Sequence, residues 1–164
     1  MGRRRQAREI ALQALYLVDV AGTPVPEAFA IVNRRAGRED VRPAGPGGTS
    51  DTAGEDREDE KTLDFARSLL EGAAAKRAEI DAHLAATAEN WPIKRMAAVD
   101  RNVLRLAAYE LAYERGTPVG VVIDEAIEIV RKYSTEDATK FVNGILDKLK
   151  SLRPASDAPQ KDPS

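Results

Sequence analysis

The sequence predicts an all-α protein, a compact bundle of about seven helices, on three observations. Apolar residues recur at three- and four-residue spacing wherever the chain is not rich in Gly and Pro. Charged residues make up 32% of the 164, against a soluble average of about 25%, a density that suits a helix-rich surface. No segment of strand period competes, because the β-branched run from Val119 to Ile123 continues into a helical pattern.

The first helix is expected from Arg3 to Val20, with Ala7, Ile10, Ala11, Ala14, Leu15 and Val18 on one stripe and Gly22 and Pro24 ending it. A second follows from Pro26, a residue tolerated in a first helical turn, through Phe29, Val32 and Asn33. The third starts near Glu58, where acids suit a helix N-terminus, and carries Leu63, Ala66, Leu69 and Leu70; Gly72 marks a break or weak point. A fourth spans Lys76 to Ala88 with Ile80 and Leu84 inward. After Trp91-Pro92, the fifth repeats Met96, Val99, Val103, Leu106 or Ala107, and Leu111, and Gly116 ends it. Helix six opens at Thr117-Pro118 and presents Val122, Ile123, Ala126, Ile127 and Val130. The last opens at Ser134-Thr135-Glu136-Asp137 and buries Val142, Ile145, Leu146 and Leu149.

Two stretches cannot build a core. Residues 37–61 hold five of the 11 glycines, Pro43 and Pro46, and no Leu, Ile, Met or aromatic residue. Such a segment buries too little apolar surface to offset the entropy of ordering it, so an acidic, Gly-rich disordered insertion is expected. Residues 153–164, with Pro154, Pro159 and Pro163, read as a disordered tail. The expected domain is therefore a single helical one over 1–152.

Composition excludes much chemistry. With no cysteine there is no disulfide, thiolate zinc site or thiol nucleophile, and one histidine removes His-based dyads and imidazole clusters. No phosphate loop, dinucleotide fingerprint or nucleophile elbow is present. His83 reads as a surface or half-buried residue, and Glu125 and Glu128 as solvated carboxylates on one helix face. No catalytic residue, cofactor or metal site is expected. No apolar run approaches the roughly 18 residues of a membrane span, and no cleavage pattern follows the basic start, so a soluble, cytoplasmic chain is expected.

The net charge of −2 conceals a segregation. Arg3, Arg4, Arg5 and Arg8 precede the first acid, Glu9, whereas Asp51, Glu55, Asp56, Glu58, Asp59 and Glu60 face one base, Arg57. Four cations at a helix N-terminus oppose the macrodipole, each at a cost of roughly 0.3–1 kcal/mol, and an anionic partner reverses that sign. Arg5, Arg8, Leu12 and Tyr16 share one side of the helix, and a guanidinium row leading to an aromatic ring suits single-stranded nucleic acid. A frayed, solvated helix start and a Tyr16 at the core edge are the competing readings. On the last helix, Lys140 and Phe141 flank the apolar stripe, with Phe141 readable as core or as a stacking platform. Gly144 within a helical pattern suggests close approach of another helix.

Arg4-Arg5-Gln6-Ala7-Arg8-Glu9 with Ala11-Leu12-Gln13-Ala14-Leu15-Tyr16 resembles the opening of the NusB transcription antitermination factors. So do Val99-Asp100-Arg101-Asn102-Val103-Leu104-Arg105-Leu106-Ala107 running into Tyr109-Glu110-Leu111, and Pro118 followed by Val122-Ile123-Asp124-Glu125-Ala126-Ile127-Glu128-Ile129. Lys140-Phe141-Val142-Asn143-Gly144-Ile145-Leu146-Asp147-Lys148 completes the signature. The resemblance implies two helical subbundles, no catalysis, and binding of boxA-type RNA in ribosomal RNA leaders together with NusE, a ribosomal protein, within a complex of Nus factors on RNA polymerase. It implies RNA contacts at Arg4, Arg5, Arg8, Tyr16, Lys140, Phe141 and Asp100, and a NusE contact at Asp137; the cluster of charge adds Arg3 to the RNA-binding candidates. Some members of the family form homodimers, so a homodimer stays open. The alternatives are a protein–protein adaptor with solvated arginines, or a stand-alone relative of the N-terminal domain of ribosomal RNA methyltransferases. The methyltransferase activity itself is not expected from a chain without a cofactor-binding domain or a cysteine.

Overall fold

The computed structural model describes residues 2–39, 52–88 and 91–153. Among them are seven α-helices and no strand: α1 (Arg3–Ala21), α2 (Val25–Glu39), α3 (Thr52–Ala75), α4 (Arg77–Thr87), α5 (Ala98–Tyr113), α6 (Val119–Tyr133) and α7 (Glu136–Leu149). They divide into two units, residues 1–74 and 75–164.

In the first unit α1 packs on α2. The alanines Ala7, Ala11 and Ala14 are fully buried, and their small side chains leave Ile10, Leu12 and Leu15 to fill the remaining space. At the end of α1, Gly22 takes φ 67° and ψ 20°. That left-handed conformation costs glycine nothing, and it turns the Thr23 N–H back onto the Leu17 carbonyl at 3.3 Å. On α3 the guanidinium of Arg67 sits 4.8 Å from the ring centre of Phe29 on α2.

The helices extend into the segment expected to be a linker. Residues 37–39 continue α2, and α3 begins at Thr52, six residues before the expected Glu58. The acids that leave this stretch without a core suit the first turns of a helix, and the rest of α3 supplies the buried face. Residues 40–51 lie outside the described residues, as do 154–164 of the expected tail. Gly72 breaks nothing; α3 runs on to Ala75.

In the second unit α5 packs against α4, α6 and α7. Leu104, Ala108 and Leu111 of α5, Val130 of α6 and Val142 and Leu146 of α7 are fully buried. On α6 the buried position is Ile129, with Ile127 only half-buried. Pro118 itself stands at the N-cap position of α6, without a side-chain cap. Thr135 caps α7, its hydroxyl accepting from the Ala138 N–H at 3.0 Å. A 3-10 turn at Lys150–Leu152 extends α7. Arg153, which the sequence assigns to the tail, is fixed: its guanidinium donates to the carbonyls of Glu110 (2.9 Å), Leu111 (3.2 Å), Glu114 (3.0 Å) and Thr117. A cation there satisfies the carbonyls that end α5 and complements its dipole.

Candidate nucleic-acid interface

The N-terminal arginines are not one solvated row. Arg3 and Arg4 are exposed, Arg5 is half-buried and Arg8 is buried at 4%. The organising residue is Phe65 of α3, whose ring centre lies 4.2 Å from the Arg4 guanidinium carbon and 5.4 Å from that of Arg8. The ring's negative face holds both cations in place. Arg3 Nη1 lies 3.1 Å from Asp59 Oδ1, which brings the acidic run into contact with the basic start. Arg3, Arg4, Lys61, Thr62 and Phe65 line an open cleft of about 290 Å³.

The side of α1 expected to read Arg5, Arg8, Leu12 and Tyr16 as one face is therefore divided. Arg8 and Leu12 are buried, while Tyr16, one helical turn past Leu12, is 38% exposed. A helix that carries Ala7, Ala11 and Ala14 against its neighbours draws Arg8 inward beside them, where the Phe65 ring is one of its contacts.

In the second unit, Lys140 and Asp137 of α7 are exposed and Phe141 is half-buried. Phe141 meets Trp91 edge to face, ring centres 6.4 Å apart at 62°. Trp91, Lys140, Phe141, Gly144, Ile145 and Lys148 line a cleft of about 360 Å³. Gly144 does not mark a close helix approach: a Cβ built on it meets nothing within 4 Å. Its backbone faces open space, and glycine in a helix interior costs about 1 kcal/mol relative to alanine.

Asp100 lies apart from these groups in character. It stands in the first turn of α5, 7% exposed, with Oδ1 buried and without a hydrogen-bond partner. An acid so placed complements the α5 dipole and is largely withdrawn from solvent. His83 is exposed. Among the described residues no group of three or more His, Asp or Glu side chains converges to hold a metal ion, and no helix is long and apolar enough to cross a membrane.

Phe65, Lys61 and Trp91 carry no mark in the sequence that singles them out for a site, and Lys148 enters only as the last residue of the family signature. Phe65 sits one position before the buried Ala66, and Trp91 in a short loop before Pro92, so neither has a periodic signal. The two rings are distinguished only by the scarcity of aromatic residues, which make up just 5% of this chain.

A model of the NusB family matches residues 5–151. The chain belongs to the NusB family. The transcription antitermination protein NusB of Symbiobacterium thermophilum is 42% identical over 143 residues, covering 87% of this chain and 86% of that one. The NusB of Elusimicrobium minutum is 40% identical over 154 residues, covering 93% and 96%. Among solved structures, NusB of T. maritima superposes with a TM-score of 0.74 at 31% identity, over 94% of this chain and 95% of that one. A NusB solved with NusE and double-stranded RNA gives 0.73 at 27% identity, over 92% and 98%. Both units of the fold thus lie within the NusB architecture.

Proposed function

We propose that this NusB-family chain is a non-enzymatic transcription antitermination factor. It binds boxA-type single-stranded RNA of ribosomal RNA leaders together with NusE, within a complex of Nus factors on RNA polymerase. The observation that carries RNA and NusE as partners is the match, over nearly the whole of both chains, to a NusB solved with NusE and double-stranded RNA. The single-stranded boxA target is what the sequence resemblance implies. The site chemistry supports it: exposed Arg3, Arg4 and Lys61 border one cleft, and Lys140 and Lys148 border another beside two aromatic rings. Cations hold phosphates and exposed rings stack unpaired bases.

In this reading Arg3, Arg4 and Arg5 hold phosphates, Tyr16 and Phe141 present ring faces, and Lys140 adds charge. Arg8 acts beneath them by holding Phe65, and Asp100 acts by anchoring α5. Asp137, exposed at the start of α7, is the residue assigned to NusE.

The test is a titration of labelled boxA-type RNA, with and without NusE, over a range of salt. Replacing Arg3, Arg4 and Arg5 by Ala should reduce the slope of log affinity against log salt by roughly 0.7 for each phosphate the protein no longer neutralises. An unchanged slope would move the RNA site away from these arginines, and no salt-dependent RNA binding at all would leave an adaptor that binds only protein.

A further inference from the structure

We infer that the cleft lined by Trp91, Phe141 and Gly144 takes one unpaired RNA base, with Lys140 and Lys148 on the phosphates that flank it. This rests on the RNA-binding reading above and adds to it a base subsite built on Trp91 and Gly144.

Three observations carry it. Trp91 is 48% exposed, yet its indole is set edge to face against Phe141, so a large apolar ring is oriented while one side stays accessible. A base stacked there would bury that side. Lys140, Gly144 and Lys148 recur every four residues, which places them on one stripe of α7 with about 6 Å of rise between neighbours. Two exposed cations therefore bracket a position with no side chain, and among the described residues none that lines the cleft is an acid. Finally, the protein's own packing does not require glycine at 144, since a Cβ meets nothing within 4 Å. The missing side chain leaves room for something that approaches the helix backbone. A flat base between cations uses the exposed ring, the paired charges and the open backbone together, and an acidic peptide uses only the charges.

Trp91 is the only tryptophan of the chain, so its emission reports the cleft directly. The experiment titrates the full chain, with NusE present, with a labelled single-stranded boxA-type RNA, following label anisotropy and indole emission together. Binding should quench the indole, and an abasic substitution at one RNA position should abolish the quench. Trp91→Ala should weaken binding by at least about fivefold, whereas Trp91→Phe keeps a ring face and should lose about twofold or less. Gly144→Ala should weaken binding several-fold while its melting temperature equals or exceeds that of the parent, a combination a structural role would not give. Should RNA bind with its Arg4-dependent salt slope intact while indole emission and the Gly144→Ala affinity stay unchanged, the subsite is wrong and RNA binding stands. Absence of any RNA binding by the parent chain would overturn the proposed function, and this inference with it.

Discussion

Arg105 and Arg8 are both arginines at 4% exposure or less. Arg105 donates from Nε and Nη2 to the two oxygens of Asp81, at 2.8 and 3.0 Å, and from Nη1 to Asn102 Oδ1 at 3.0 Å. Such a fork-to-carboxylate pair joins α4 to α5 with fixed geometry. Removing the acid takes the two-oxygen carboxylate partner from a buried cation, so Asp81→Ala should cost about 3 kcal/mol in urea unfolding, the lower end for a broken buried pair because Asp81 itself is partly exposed. Arg8 lies against the Phe65 ring, a weaker and less directional partner. Tyr16 is the residue where stability and binding are most cleanly separated. With its ring 38% exposed, Tyr16→Ala should lose about 1–3 kcal/mol of RNA affinity and Tyr16→Phe much less. Truncating a buried aromatic would instead cost ~3–5 kcal/mol of folding stability. Melting curves and RNA titration on the same two variants distinguish them.

Between elements, α4 and α5 share a second link at their surface. The Tyr113 hydroxyl donates to Glu79 Oε2, and Lys76 lies 5.5 Å from the Tyr113 ring centre. That hydrogen bond first, and the Lys76 charge second, hold the Glu79 carboxyl below its ordinary value. Because the folded-state value is lowered, the link contributes above the unfolded carboxylate value and is lost as pH falls through the folded one. Tyr113→Phe removes the donor, so the Glu79 titration followed by NMR should move up toward the ordinary range. Helix periodicity makes these elements legible: the α7 stripe falls where its spacing puts it, and the α1 stripe does so but for half-buried Val18. On α5, Val103, Leu106, Ala107 and Leu111 are buried, Val99 is half-buried and Met96 precedes the helix. What stays hidden depends on partners distant in sequence. Arg153 sits in a Pro-rich context that reads as tail, yet its four carbonyl acceptors lie 36 to 43 residues earlier. The start of α3 is obscured because an acidic, Gly-containing stretch lacks the apolar residues by which a helix is recognised. In the candidate site, Arg4, Tyr16, Lys140 and Phe141 are legible from charge and spacing. Phe65 and Trp91, which orient Arg4 and Phe141, are not, since each acts through a pairing made only in the folded chain.

For the whole molecule, the sum of charge is a poor guide to how it meets a polyanion. A chain of net charge −2 repels RNA on average, and binding depends on keeping cations and acids apart. That separation is breached where Asp59 of the acidic run holds Arg3. The pair is exposed, with side-chain accessibilities of 69% and 44%, so it adds little to folding stability. It does compete with phosphate for the same guanidinium. Neutralising the acid by Asp59→Asn should therefore leave the melting temperature unchanged and strengthen RNA binding. The slope of log affinity against log salt should steepen by up to roughly 0.7, the value of one more neutralised phosphate on a single strand. Combining it with Arg3→Ala should erase the gain, because the effect runs through that guanidinium. A gain that survives Arg3→Ala would mean that Asp59 acts by general repulsion of the strand and not by occupying Arg3.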